Sequence, residues 1–403
     1  MVVLSMRTLY VQLIKDVDKN IIGEFAINGK RGVIYDRNGK KMAYDVMVSD
    51  IILKNCDTPN KYEIANFISE NFEIDLEKIL NKINNEGSGS LKLVSNVNDN
   101  IIFQLLKEIE EFEELEVTKS KPGRYYPQKA LAFHILGKSD SIGGKWGVEK
   151  DLNDFLIGKK DLLTHFILNT GKKIPAYDIE QYNQLSGKDV ILTIDLDYQR
   201  ILSEELLKQL ELTNSEHANG VIIDVHSGEI LAMTTLPSSD LNKPLKKTEN
   251  TRNRTINHST EPGSTIKTFS LLAGLDNNII KLSDKVFCEA RDGQIGEKIV
   301  YKFPELNNRS IEDHEGRDTI TVKEVLAYSS NIGTVKLALK IGKYPVYNTL
   351  KKFGFGSRFN FDFLKDQNKG VLKPFEEWDN YSLSSIPIGQ EMRSNNLQLA
   401  MAY

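Results

Sequence analysis

The chain has little of what metal and redox chemistry need. Two cysteines, Cys56 and Cys288, occur in 403 residues, far apart and without a C-x-x-C pairing. They cannot make a zinc site alone, and no feature supports a disulfide between them, so each reads as a buried thiol. The six histidines (134, 165, 217, 226, 258 and 314) show no H-x-H or H-x-x-x-H spacing, so no metal is expected. His226, in a hairpin turn, and His314, among acidic residues, read as surface groups. Neither sign of charge dominates: 52 basic and 56 acidic residues leave a net −4, with no polybasic patch for nucleic acid. No apolar run reaches the roughly 20 residues of a membrane-crossing helix. Met1–Val17 alternates apolar residues with Arg7, Gln12, Lys15 and Asp16, and lacks the parts of a signal peptide. No internal repeat or heptad array occurs.

What is present suffices for two or three domains with a substantial core. Residues 31–174 mix short β-rich runs (Gly32–Tyr35, Val46–Leu53) with amphipathic helices (Lys61–Asn71, Ile101–Phe112). Asn85–Ser90 reads as a Gly/Ser loop. The polar segment Gly171–Lys188, with Pro175 and Gly187, reads as a linker. Beyond it, Val190–Ile194 predicts a strand and Asp197–Leu212 a helix, with Leu202, Leu206 and Leu210 as a core stripe. Val221–Val225 and Ile230–Thr234 flank His226-Ser227-Gly228-Glu229 and predict a hairpin of central strands. Asp276–Arg317, polar and without long periodicity, is expected to be an extended insertion.

Two short motifs carry chemistry. In Glu261-Pro262-Gly263-Ser264-Thr265-Ile266-Lys267-Thr268, Pro262 and Gly263 stop what precedes and Phe269, Leu271, Leu272 and Ala273 follow, so a helix begins near Ser264. Residues i and i+3 share a helix face, which sets Ser264 beside Lys267. A serine hydroxyl becomes a nucleophile when a base takes its proton, and a desolvated lysine of lowered pKa can do so. The same spacing also occurs at ordinary helix starts. The second motif, Ser329-Ser330-Asn331, lies between helical segments Thr321–Tyr328 and Thr334–Leu339. A hydroxyl there can relay protons with Lys267, and the Asn331 amide can donate to and accept from a peptide. The bland alternative is a helix cap.

Together they form the S-x-x-K and S-x-N pair of β-lactamases and penicillin-binding proteins. The chain resembles a class B penicillin-binding protein, a peptidoglycan D,D-transpeptidase, almost end to end. Arg31–Lys40 is similar to that family's R-G-x-I-x-D-R-N-G opening. Arg124-Tyr125-Tyr126-Pro127, Ala132–Gly137 and Gly147–Lys150 match its non-catalytic module. Gly220–Met233 resembles its catalytic hairpin, and Ser385–Gln390 with Leu397–Tyr403 its G-x-G…T-P-L-Q-L-A-x-A-Y stretch. Two departures stand out. No Lys-Thr-Gly or Lys-Ser-Gly, the family's third motif, occurs; the two Lys-Thr pairs, Lys247-Thr248 and Lys267-Thr268, are followed by Glu249 and Phe269. Nor is there the family's N-terminal membrane anchor. The chain is therefore expected to be the extracytoplasmic part of an anchored protein, missing both ends.

The resemblance implies an α+β multidomain fold. A β-rich and helical pedestal of the dimerization type (31–174) follows a juxtamembrane remnant (1–30). After a linker (175–189) comes an incomplete β-lactamase-like transpeptidase domain (190–403). That domain should have a central antiparallel sheet flanked by helices, with its C-terminal strands missing. The resemblance further implies Ser264 as nucleophile, Lys267 as general base, Ser329 as proton relay and Asn331 as substrate-binding residue, the division between Lys267 and Ser329 being open. No cofactor or metal is implied. The implied partners are D-Ala-D-Ala stem peptides, β-lactams and membrane proteins of the division or elongation machinery such as a SEDS glycosyltransferase. The implied place is the extracytoplasmic face of the cytoplasmic membrane, in septation. Rival readings are a β-lactamase or β-lactam-sensing domain, and a non-catalytic scaffold. The opening module argues against the first; the missing third motif favours the second.

Overall fold

The computed structural model describes residues 22–87, 89–140, 142–167, 173–245, 251–291, 293–361 and 363–403. Met1–Val17 and the Lys247-Thr248 pair fall outside these. Among the described residues no helix is long and apolar enough to cross a membrane. Contacts divide the chain into two units.

The first unit holds residues 1–129, 136–192 and 240–245. Its organising element is the 13-residue strand Lys41–Leu53. Ile34–Tyr35, Leu91–Asn98, Leu115–Val117 and Lys121–Tyr125 all pair with it antiparallel. Ile51 and Leu53 point to one face by strand alternation and are fully buried there. Helices Lys61–Phe72, Leu76–Glu86 and Asp99–Glu110 cover that face with Ile64, Ile68, Ile79, Ile83, Ile102 and Ile109. The i, i+4 spacing of Ile64/Ile68 and Ile79/Ile83 lines one side of each helix. Leu76–Glu86 is a helix the sequence reading lacked. It takes Asn85 and Glu86 out of the expected loop, of which Ser88 is not described. A second sheet joins Ile22–Asn28, Lys160–Ile167 and Lys173–Pro175.

The 175–189 segment is more ordered than a linker. Ile179–Gln184 is a helix whose Asp178 and Gln181 form a reciprocal capping box. Val190–Ile191 then pairs parallel with Ile34–Tyr35, so this strand belongs to the first unit, whereas the sequence reading placed it in the second. Polar composition hid the helix, because capping residues and loop residues are the same residues. The first unit also buries an ionic cluster. Glu149, 0% exposed, accepts Arg31 Nε at 2.6 Å and Arg124 Nε at 2.7 Å on its two oxygens. Asp45 accepts Arg124 Nη1 at 3.1 Å and the Arg31 backbone N–H at 2.9 Å.

The second unit holds residues 130–135, 193–239 and 246–403. Asp195 caps the helix Leu196–Leu212 through the Asp197 N–H. That helix packs on the antiparallel hairpin Ala218–Ile223 and Ile230–Leu236. Buried Gln199 stitches the two: its Nε2 donates to the Met233 carbonyl and its Oε1 accepts the Met233 N–H. The leucine stripe is half-buried rather than deep, with Leu202 and Leu206 lying over Gly220. Helices Lys267–Asp276, Asn331–Ile341 and Lys343–Lys352 enclose the main apolar core of this unit, with Phe269, Ala338, Leu350 and Phe355 among its buried members. The Asp276–Arg317 stretch is not extended. Lys285–Phe287 pairs with Thr319–Thr321, and Ile299–Phe303 with Arg309–Asp313. Ala290, Ile299, Phe303, Leu306 and Ile311 make a second small core there. Apolar residues at two-residue spacing in short strands gave too weak a period to stand out from their polar neighbours. Both cysteines are free and buried, and His226 and His314 are exposed.

Candidate active site

Gly263–Ile266 forms a single 3-10 turn that runs straight into the α-helix beginning at Lys267. Ser264 therefore occupies the first turn, exposed, while Lys267 enters the core at 0% exposure. A turn earlier, Gly263 N–H donates to the Gly389 carbonyl at 3.1 Å. Gly389 has φ 82°, and a Cβ there would come within 1.9 Å of the Gly263 carbonyl oxygen. Only glycine lets the Ile386–Ile388 turn approach the nucleophile turn this closely.

Across from it, helix Val322–Ala327 is started by a capping box between Thr321 and Glu324. It ends in the corner Ser329-Ser330, after which Asn331 opens the next helix. Ser330 is the N-cap: its Oγ accepts the Gly333 N–H at 2.9 Å. The cap reading thus holds for Ser330, leaving its two neighbours for other work. Ser329 is exposed, with φ 54°, a conformation that side-chain-bearing residues seldom adopt. Lys267 Nζ donates to the Ser329 carbonyl and, at 3.0 Å, to the Ser329 Oγ. Asn331 Nδ2 donates to the Glu312 carbonyl at 2.8 Å, which fixes its amide plane.

The structure thus brings Lys267, Ser329 and Asn331 together at one corner, with Ser264 one turn ahead of Lys267. Burial pulls the Lys267 amine down to about 8, against the opposing pull of Asp313. An amine so placed is partly neutral near physiological pH and can accept a proton. The sequence reading missed Asp313, leaving it inside the expected Asp276–Arg317 insertion. Its signal was there: strand alternation puts Asp313 on the buried face with Ile311, an uncommon place for a carboxylate. In the sequence Gly389 is one residue of the Ser385–Gln390 stretch, with nothing local to mark its contact with Gly263.

Residues 26–192 match the penicillin-binding protein dimerisation domain, and residues 219–403 the penicillin binding protein transpeptidase domain. The chain belongs to the class B penicillin-binding proteins. Curated relatives of this penicillin-binding protein include the probable peptidoglycan D,D-transpeptidase PenA of Neisseria gonorrhoeae. The two are 26% identical over 409 residues, covering 98% of this chain and 67% of that one. PbpC of Pseudomonas aeruginosa, also described as a probable peptidoglycan D,D-transpeptidase, is 28% identical and covers 99% and 69%. The peptidoglycan D,D-transpeptidase FtsI of Escherichia coli is 26% identical and covers 97% and 65%. The chain thus spans about two thirds of the length of these relatives. Among solved structures, penicillin binding protein 3 of Mycobacterium tuberculosis, complexed with aztreonam, shares the fold. The TM-score is 0.62 at 19% identity, over 93% of this penicillin-binding protein and 63% of that chain.

Proposed function

We propose that this protein is a peptidoglycan D,D-transpeptidase working through an acyl-enzyme on Ser264. The observation that carries the reading is a fully buried Lys267 hydrogen-bonded to Ser329 Oγ, one helical turn after an exposed Ser264. Ser264 Oγ attacks the carbonyl joining two D-alanines of a stem peptide while Lys267 takes its proton, directly or through Ser329. The C–N bond breaks, the proton passes to the departing D-alanine, and the acyl group stays on Ser264. Asn331 orients the donor peptide: one of its Nδ2 hydrogens is held by Glu312, leaving the other and Oδ1 for peptide groups. An amine of a neighbouring stem peptide then attacks the ester, forming the cross-link and freeing Ser264. A β-lactam carries a strained amide in place of the D-Ala-D-Ala bond and acylates the same oxygen. The dipole of the turn and helix that start at Ser264 favours the negative charge of the tetrahedral intermediate.

In the cell this reaction takes place at the extracytoplasmic face of the membrane during septation, beside division proteins such as a SEDS glycosyltransferase. The relatives named FtsI are described as peptidoglycan D,D-transpeptidases, which supports the cross-linking reaction itself. The test is labelling with a fluorescent penicillin, followed by mapping of the modified residue. The expected result is an adduct on Ser264 that is lost in Ser264→Ala. An adduct elsewhere, equal labelling of the variant, or no labelling of the folded wild type would overturn the reading.

A further inference from the structure

Asp313 ends the strand Arg309–Asp313 and is 3% exposed. Its Oδ1 accepts the backbone N–H groups of Asn331 at 2.5 Å and Ile332 at 3.1 Å. Its Oδ2 accepts the Ser330 hydroxyl at 2.5 Å. The carbonyl one residue earlier, that of Glu312, holds the Asn331 side chain. The corner Ser329-Ser330-Asn331 is thus gripped from two sides. Lys267 Nζ holds the carbonyl and hydroxyl of Ser329; the end of the strand holds Ser330 and Asn331. Between the grips, Ser329 keeps its left-handed backbone. Such a conformation persists where the surroundings impose it.

We propose that Asp313 is a positioning residue of the acyl-transfer site, holding Ser329 and Asn331 in working geometry and supplying the negative charge that Lys267 faces. The proposal rests on the roles given above to Ser264, Lys267 and Ser329. Three donors, two of them backbone N–H groups at a helix start, suit an ionised carboxylate and make its hydrogen bonds charge-assisted. Other charged groups on the elements packed around Lys267 are engaged elsewhere. Lys336 pairs with Glu289, Lys340 with Asp284, and Glu324 with Thr321. Lys343 donates to the Trp378 carbonyl and Lys351 to Ser357, while Lys323 and Lys352 are exposed. Cys288 packs behind the corner, its Sγ 2.9 Å from where a Cβ on Gly333 would sit. Asp313 is therefore the charge that opposes the effect of burial on Lys267.

The experiment measures the second-order rate of penicillin acylation at Ser264 against pH, with thermal melting of each protein alongside. In Asp313→Asn the plateau rate should fall about tenfold, the scale of a lost charge-assisted hydrogen bond. Removing a negative neighbour makes Lys267 easier to deprotonate. The acid limb of the profile should therefore move about one pH unit lower. Asp313→Glu keeps the charge and displaces it, so its plateau should fall while the limb stays. A fall in the plateau of Asp313→Asn with the limb unmoved would reduce Asp313 to a helix cap, and an unchanged profile would remove it from the site. Should Asp313→Asn not fold, Asp313→Glu and Ser330→Ala decide: both should acylate more slowly with the limb unmoved, and wild-type rates in both sink the proposal. If the wild type labels at Ser264 while the variants behave like it, only this proposal falls. If the folded wild type labels at no pH, the acyl-enzyme reading falls and takes this with it.

Discussion

Glu149 in the first unit and Lys267 in the second are both 0% exposed, yet they are buried on opposite terms. Glu149 has an arginine on each oxygen, and Asp45 balances the second positive charge. Every change at that cluster strands a charge. Lys267 instead rests on the neutral oxygens of Ser329, while the nearby Asp313 carboxylate is taken up by other donors. Its amine is left short of compensation and gives up its proton near pH 8 rather than at 10.5. A buried charge that is matched ties a fold together. A buried amine that is not matched is a base. The same low-dielectric interior produces both outcomes, and the donor and acceptor inventory around each group decides between them.

The sharpest way to break this comparison is at Lys267. Lys267→Met should lower the rate of Ser264 acylation by about 10²–10⁴, the usual contribution of a positioned base. It should not destabilise the protein at neutral pH. The folded-state pKa of Lys267 lies below its unfolded value, so between about 8 and 10.5 the unfolded chain binds more protons than the folded one. The cost of burying the amine is full below pH 8 and lifts as pH rises to 10.5, by at most about 3 kcal/mol. The stability advantage of Lys267→Met over wild type, read from chemical denaturation at several pH values, should therefore shrink across that window. An advantage that grows with pH would mean the amine is matched after all.

The opposite signature is expected at Glu149. Glu149→Gln leaves Arg31 and Arg124 in a dry site, costing about 3–5 kcal/mol in unfolding free energy. The folded fraction should still acylate at the wild-type rate. A slowed rate without a stability loss would show that the cluster serves the reaction. The smallest effect belongs to Thr321→Ala, which removes one half of a capping box. It should cost about 1 kcal/mol in stability and leave the pH profile of acylation alone; a shifted profile would show that the helix before Ser329 transmits strain to it.

The site was more legible in the sequence than the fold around it. Ser264 and Lys267 announce themselves because a helical turn converts a three-residue spacing into adjacency, with no distant part of the chain required. Ser329 and Asn331 were legible for a similar local reason, standing between two apolar-periodic segments. Asp313 was not, because its partners come seventeen or more residues later. Among structural elements, Lys61–Phe72 and Asp99–Glu110 carry strong apolar stripes and were read almost to their ends. Leu76–Glu86, rich in Asn and Lys, was lost to the Gly/Ser stretch behind it. The small core of Ala290, Ile299, Phe303 and Ile311 was hidden because each residue is ordinary alone, and only pairing of two short strands gathers them.

At Gly389 the backbone touches the backbone of the nucleophile turn, with no side chain between. Every other amino acid brings a Cβ, so the genetic code offers position 389 no neighbouring step that keeps the contact. Selection can reshape the site by changing residues whose side chains line it; the backbone contact between Gly263 and Gly389 lies outside that repertoire. A ligand that takes its grip from these two backbones would be reading the one part of the site that a point mutation cannot edit without also moving Ser264.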